Sequence, residues 1–175
     1  GRGRRAQGPQ ALDLPVPGSA FGPRPLTRYL RALEGLQGRI QLGVRPGLET
    51  VDDLLARLGR PERGLSCVQV AGTNGKGSTC RYLHRLLQGA GLRTGLFTSP
   101  HLVCVRERFV VGEDSISEDD FADLFEEVLP AAEASRATYF ETLTGMAALW
   151  FSRSGVDAVV LETGLGGRLD SVTSF

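Results

Sequence analysis

An α/β fold built on a mainly parallel sheet is the class this sequence predicts, and three observations predict it. Short apolar runs rich in Val and Leu alternate with longer stretches whose apolar residues recur at helical spacing. A glycine-rich loop, Ala71-Gly72-Thr73-Asn74-Gly75-Lys76-Gly77-Ser78-Thr79, stands between one such run and one such helix. Asp157 to Glu162 is β-rich throughout, as a strand buried on both faces should be. With 175 residues, 41% hydrophobic and 23% charged, the chain can bury the core of one ordinary domain.

The elements follow in order. Residues 1–25 hold five of the nine prolines and little periodicity, so they read as a flexible lead-in, and residues 26–175 as the folded part. A short helix is predicted over Leu26 to Leu33, then a glycine-rich stretch from Gly35 to Gly47. Leu48, Val51, Leu54, Leu55 and Leu58 mark a second helix, stopped by Gly59 and Pro61. Leu65 to Ala71 reads as a strand, and a helix runs from Lys76 to about Leu87. Arg93 to Thr98 and Arg108 to Val111 are the next strands. From Ser117 a helix buries Phe121, Leu124, Phe125, Val128 and Leu129, with Pro130 as its stop. Thr138-x-x-Glu141 is a capping box that opens a helix through Leu143, Ala147 and Trp150. Asp157 to Glu162 closes the series, and with no strand after it is expected to lie at an exposed sheet edge.

Composition excludes several function classes. Twenty Lys+Arg balance twenty Asp+Glu, so no global field calls for nucleic acid or an anionic membrane. No apolar run approaches the roughly eighteen residues of a membrane-crossing helix. The three cysteines, Cys67, Cys80 and Cys104, are odd in number and form no C-x-x-C pair. That favours reduced thiols in a cytoplasmic protein, expected to be a monomer, over a disulfide framework or a zinc site. The opening GRGRRAQG lacks the serines of a transit peptide and reads as a solvated basic tail.

The loop carries the chemistry. Glycines let successive backbone N–H groups curl round an oxyanion, and the following helix adds its positive end. Lys76 can reach the β- and γ-phosphates of a nucleotide, and a hydroxyl just inside the helix can serve Mg²⁺. Nineteen of the twenty basic residues are Arg, and the one Lys stands here, where a compact ammonium fits and a planar guanidinium does not. The alternative is a strand-to-helix turn that binds nothing. Ser99 follows a strand's carboxyl end, where open α/β sheets place ligands, although a plain turn Ser before Pro100 would look the same. Glu162 ends a buried strand, where an unpaired carboxylate is costly and a metal or an Arg is the expected companion, although a carboxylate paired with Arg168 or solvated at the strand tip would look the same. Gly164-x-Gly166-Gly167 is followed by no helical pattern, which argues against a dinucleotide loop. His101 reads as structural, His84 as inert inside a helix, and the acidic run Glu118 to Asp120 as a response to the helix dipole.

The loop departs from G-x-x-x-x-G-K-[ST], because Gly77 separates Lys76 from Ser78. GTNGKGS resembles the loop of the Mur ligase superfamily, in its folylpolyglutamate synthase/dihydrofolate synthase branch. Thr98-Ser99-Pro100-His101-Leu102 with Arg106-x-Arg108, Tyr139-Phe140-Glu141-x-Leu143-Thr144, and Glu162-Thr163-Gly164-Leu165-Gly166-Gly167-Arg168-Leu169-Asp170 are similar to further elements of that branch, in the same order. Ile40-x-Leu42-Gly43 is similar to its pterin-side loop, with Gln41 where an acidic residue is common. The resemblance spans Leu26 to Ser171. It implies a P-loop domain of the Mur-ligase ATPase type and an ATP- and Mg²⁺-dependent ligase that joins L-glutamate to a dihydropteroate or reduced-folate carboxylate through an acyl phosphate.

By the same resemblance Thr73, Asn74, Gly75, Lys76, Gly77, Ser78 and Thr79 hold ATP, with Lys76 the catalytic cation. Ser99 and Glu162 serve the metal, and Leu42, Gly43, Phe140, Thr142 and Asp170 face the pterin substrate. The usual Thr-Asn pair after R-L-D is displaced or absent, and the downstream strands, metal-serving residues and second domain have no counterpart before Phe175. The expectation is therefore an N-terminal portion that does not turn over alone. The rival expectations are another Mur-type ligase and a nucleotide-binding fragment without turnover.

Overall fold

The computed structural model describes residues 27–43, 47–164, 167 and 170–175. The expected lead-in over 1–25 and the Arg168-Leu169 part of the signature lie outside them. Among the described residues five α-helices and five strands follow in the order α1 (Arg28–Gly38), α2 (Glu49–Arg57), β1 (Cys67–Val70), α3 (Lys76–Gly89), β2 (Thr94–Phe97), β3 (Phe109–Val111), β4 (Asp114–Ser115), α4 (Glu118–Ser135), α5 (Tyr139–Arg153) and β5 (Ala158–Glu162). One sheet carries all five strands in the order β1-β5-β2-β3-β4.

β1, β5 and β2 are parallel, while β3 and β4 return antiparallel at one side. The β2–β3 connection holds a 3-10 turn (Val105–Arg108) and no α-helix, so the chain reverses instead of crossing over. β5 inserts between β1 and β2, pairing Val70 with Glu162 and Phe97 with Leu161. This corrects the expectation of an exposed β5 edge. Residue composition marks a strand as buried on both faces, but its place in the sheet depends on which gap the crossovers leave open. The open edge near the parallel end is β1, where Val68 and Gln69 are exposed.

The sheet's two faces read off the alternation of its strands. Phe97, Val159 and Leu161 join the main core with α1, α2, α4 and α5, whereas Leu96 and Val160 pack with Cys80, Leu83 and Leu87 of α3. Gly95 lets α5 approach closely: a Cβ there would lie 2.7 Å from the ring of Phe151.

Two helix limits differ from expectation. α1 continues to Gly38, because Gly35 faces Phe125 of α4, where a side chain would clash at 2.8 Å. α4 runs five residues past Pro130 and ends on Arg136 in the left-handed conformation. Its last turn is held by Arg39, buried, which donates to the carbonyls of Ala137 (2.8 Å) and Ala132. A cation at a helix C-terminus is favoured by the helix dipole and satisfies carbonyls that the end of the helix leaves free. The Thr138/Glu141 capping box is present as expected, with Glu141 Oε2 accepting from the Thr138 N–H at 2.7 Å.

Candidate nucleotide site

Parallel register brings the carboxyl ends of β1, β5 and β2 to one edge of the sheet, and the candidate residues gather there. β1 runs into the glycine loop, and Gly75, at φ 76°, takes the left-handed conformation that starts α3. A side chain at that φ would be strained, which explains glycine before Lys76. Thr73, Asn74 and Ser78 are exposed. Lys76 Nζ folds back to donate to the Gly72 carbonyl at 2.9 Å, and the Thr79 hydroxyl donates to the Gly75 carbonyl at 2.9 Å. Thr163 ties the strand ends together, its N–H and hydroxyl both donating to the Val70 carbonyl (3.1 and 3.2 Å).

Glu162, 5% exposed, lies under the first turn of α3: a Cβ on Gly77 would sit 3.4 Å from its Oε2. The same oxygen accepts from the backbone N–H of Ser99 at 3.1 Å. The two residues expected to serve a metal thus meet, through the main chain of one and the carboxylate of the other. A buried carboxylate at a helix N-terminus is favoured by the helix dipole. It also pushes the Cys80 thiol, already raised by burial, to about 12, so that cysteine stays protonated. One carboxylate and one hydroxyl suit a hard cation that keeps waters and phosphate oxygens as its other ligands. Among the described residues no group of three or more His, Cys, Asp or Glu could hold a metal alone. The donor set therefore fits Mg²⁺ carried in with phosphates.

Residues 99–108 form a braced loop that the sequence pattern alone does not reveal. Glu107 accepts three backbone N–H groups, from Leu102 (2.9 Å), Val103 (2.8 Å) and Cys104 (2.8 Å), and these hold its carboxyl down at about 2. Arg108, 6% exposed, donates from Nε to His101 Nδ1 at 2.9 Å and lies over the Tyr139 ring at 5.9 Å. His101 therefore carries no proton on Nδ1, and burial followed by the Arg108 charge lowers its pKa. Burial also lowers that of Arg108, against the opposing pull of Tyr139 and Glu162. Arg106-x-Arg108 is part of a motif in the sequence, but the hydrogen-bond partners of Arg108 and Glu107 lie in a loop without periodicity.

The expected substrate residues divide. Phe140 and Asp170 come together across Gly164, where a Cβ would lie 2.9 Å from the Phe140 ring and 3.4 Å from Asp170 Oδ2. Asp170 also caps the turn Ser171–Ser174, accepting from the Val172 N–H at 3.1 Å. Leu42 and Gly43 end a 3-10 turn that packs on α5. Thr142 is not brought to this surface: it is fully buried, and its hydroxyl donates to the Thr138 carbonyl at 2.8 Å. His84, as expected, is a satisfied core residue between Gly112 O (2.8 Å) and Thr94 Oγ1 (3.0 Å).

No protein-family model matches the chain. Among curated proteins it is 42% identical over 152 residues to the dihydrofolate synthase/folylpolyglutamate synthase of Bacillus subtilis, an alignment covering 83% of this chain and 35% of that protein. Among solved structures it resembles the folylpolyglutamate synthase of Thermotoga maritima, with TM-score 0.76 and 38% identity, over 83% of this chain and 36% of that one. It also resembles the bifunctional folylpolyglutamate synthase/dihydrofolate synthase of Yersinia pestis complexed with AMPPNP and Mn ion, with TM-score 0.77 and 35% identity, over 83% and 36%. The chain spans about a third of the length of these relatives. With the loop, the Ser99–Glu162 contact and the sheet edge that holds both, these matches lead to one conclusion: the chain belongs to the folylpolyglutamate synthase/dihydrofolate synthase family.

Proposed function

We propose that this chain is the nucleotide-binding part of an ATP- and Mg²⁺-dependent ligase that joins L-glutamate to the carboxylate of dihydropteroate or a reduced folate, acting in the cytoplasm. The observation that carries the reading is the convergence of the Gly75-Lys76 loop, Glu162 and Ser99 at the carboxyl edge of three parallel strands. The family relatives, one of them complexed with AMPPNP and Mn ion, support it. In the proposed reaction a substrate carboxylate oxygen attacks the γ-phosphorus and ADP departs. The amine of glutamate then displaces phosphate from the acyl phosphate, losing a proton as the amide forms.

Such transfer depends on positioning and charge neutralisation more than on covalent help. Lys76, released from the Gly72 carbonyl, would neutralise the transferred group. The backbone amides of residues 73–79 would cradle the phosphates. Ser99 and Glu162 would hold Mg²⁺, which when bound screens the phosphate charge. Phe140 and Asp170 would form the pterin side with Leu42 and Gly43, while Thr142 supports the helix behind them. No described helix is long and apolar enough to cross a membrane.

The test is calorimetry of the chain with Mg-ATP. Charge-assisted contacts of this kind are worth roughly 1.5–3 kcal/mol, so Lys76→Ala should weaken binding about tenfold to a hundredfold. Lys76→Arg should recover little of that loss, since the fork cannot lie along the loop as an ammonium does. Parent-like affinity in both variants contradicts the phosphate-loop reading.

A further inference from the structure

Three arginines are at least partly buried near the loop edge and α4, and two have their charge answered. Arg39 donates to the carbonyls that close α4. Arg106 lies 3.6 Å from Glu118 and donates to the Ile116 carbonyl at 3.1 Å. Arg108 is different. Its described contacts are an imidazole nitrogen and an aromatic face, and among the described residues no carboxylate lies within ion-pair distance of it. A guanidinium this buried without an anion is costly. Nor is it sealed in. Among the described residues the fully enclosed side-chain polar atoms that lack a partner are Glu62 Oε2, Arg106 Nε and Ser174 Oγ, so the terminal amino groups of Arg108, which meet no described acceptor, keep access to the outside.

Position gives the missing anion its identity. The Arg108 carbonyl accepts from the Thr98 N–H at 3.3 Å, which fixes the residue beside the end of β2, one step from Ser99. On one side the Glu162 charge acts on it. On the other it covers Tyr139, the neighbour of Phe140, whose ring faces Gly164 and Asp170. Arg108 therefore stands between the residues proposed for the phosphates and metal and those proposed for the pterin. His101 takes up Nε, leaving the terminal amino groups as a two-pronged donor that matches a planar carboxylate.

We infer that Arg108, aimed by His101 and Tyr139, binds the carboxylate of the acceptor substrate and holds it toward the metal and γ-phosphate. This rests on the ligase reading above and adds to it the residue that recognises the group to be activated. A second commitment follows: the phosphates belong to the loop, and Arg108 serves the carboxylate.

The experiment compares dihydropteroate with its methyl ester, in which the carboxylate is masked, by calorimetry on the 175-residue chain in the presence of Mg-ATP. The parent chain should prefer the free acid by about tenfold or more, as a charge-assisted pair implies. Arg108→Gln should abolish that preference while retaining affinity for the ester, which also reports that the variant is folded. Arg108→Lys should keep part of the preference, since the charge remains and the fork is lost. An unchanged preference in Arg108→Gln, or no preference in the parent chain, overturns the inference. So does a loss of Mg-ATP affinity in Arg108→Gln with the preference intact, which would assign the cation to phosphate. If the parent chain binds no Mg-ATP, the ligase reading itself fails, which is a separate result.

Discussion

Glu107 shows how one side chain can set the shape of a functional loop. Its carboxylate accepts three consecutive backbone N–H groups, and Leu102 and Val103 stand almost fully exposed, at 88% and 89%, on the segment it braces. The hydrogen bonds favour the charged form, so the folded pKa, about 2, lies below the ordinary value of 4.5. By linkage the stabilisation is fully present above that ordinary value and is lost as pH falls toward 2. Amide exchange at residues 102–104 should therefore accelerate between about pH 4.5 and 2 in the parent chain, beyond the intrinsic trend. In Glu107→Gln exchange there should be fast throughout, with no transition in that window. A transition of equal size in the variant would assign it to another group. At this scale the sequence showed Lys76, because it is the one lysine, and Glu162, because it ends a strand. It did not show Glu107 or the Arg108–His101 contact, because three to seven residues of irregular chain separate the partners and no period relates them.

Elements were the most legible level. Alternation and helical spacing located every strand but the two-residue β4, and all five helices to within a few residues at most of their ends. Those limits that moved did so for tertiary reasons. Gly35 and Pro130 are locally breakers, and both lie inside helices held by tertiary contacts: Gly35 faces the Phe125 ring, and the end of α4 beyond Pro130 is tied down by Arg39 through the Ala132 and Ala137 carbonyls. Gly95 makes a parallel point for strands, since β2 carries glycine where β-propensity would call for a larger residue. Its missing Cβ is the space that Phe151, itself fully buried, occupies. Gly95→Ala should therefore overpack the contact of β2 with α5 and cost about 1–3 kcal/mol, read from the midpoint of urea unfolding. A neutral or stabilising outcome would show that α5 can shift away at no cost.

For the molecule as a whole, the fold class was legible and the strand order was not. Which strand lies in the middle is decided by the crossover helices α3, α4 and α5, and the β-rich run Asp157 to Glu162 looks the same in any central position. The site depends on that order: with β5 between β1 and β2, Glu162 reaches both the first turn of α3 and the Ser99 amide. The central claim is that this convergence is a site for a metal-bound nucleotide, and the most direct measurement is ATP affinity with and without Mg²⁺ in the parent chain and in Glu162→Gln, which preserves an acceptor for the Ser99 N–H. The account predicts that Mg²⁺ strengthens ATP binding in the parent chain and that Glu162→Gln loses most of that gain while metal-free affinity stays close to the parent value, because one lost protein oxygen weakens a site completed by waters and phosphates. An undiminished Mg²⁺ dependence in Glu162→Gln would contradict it and return Glu162 to a purely structural role beneath α3.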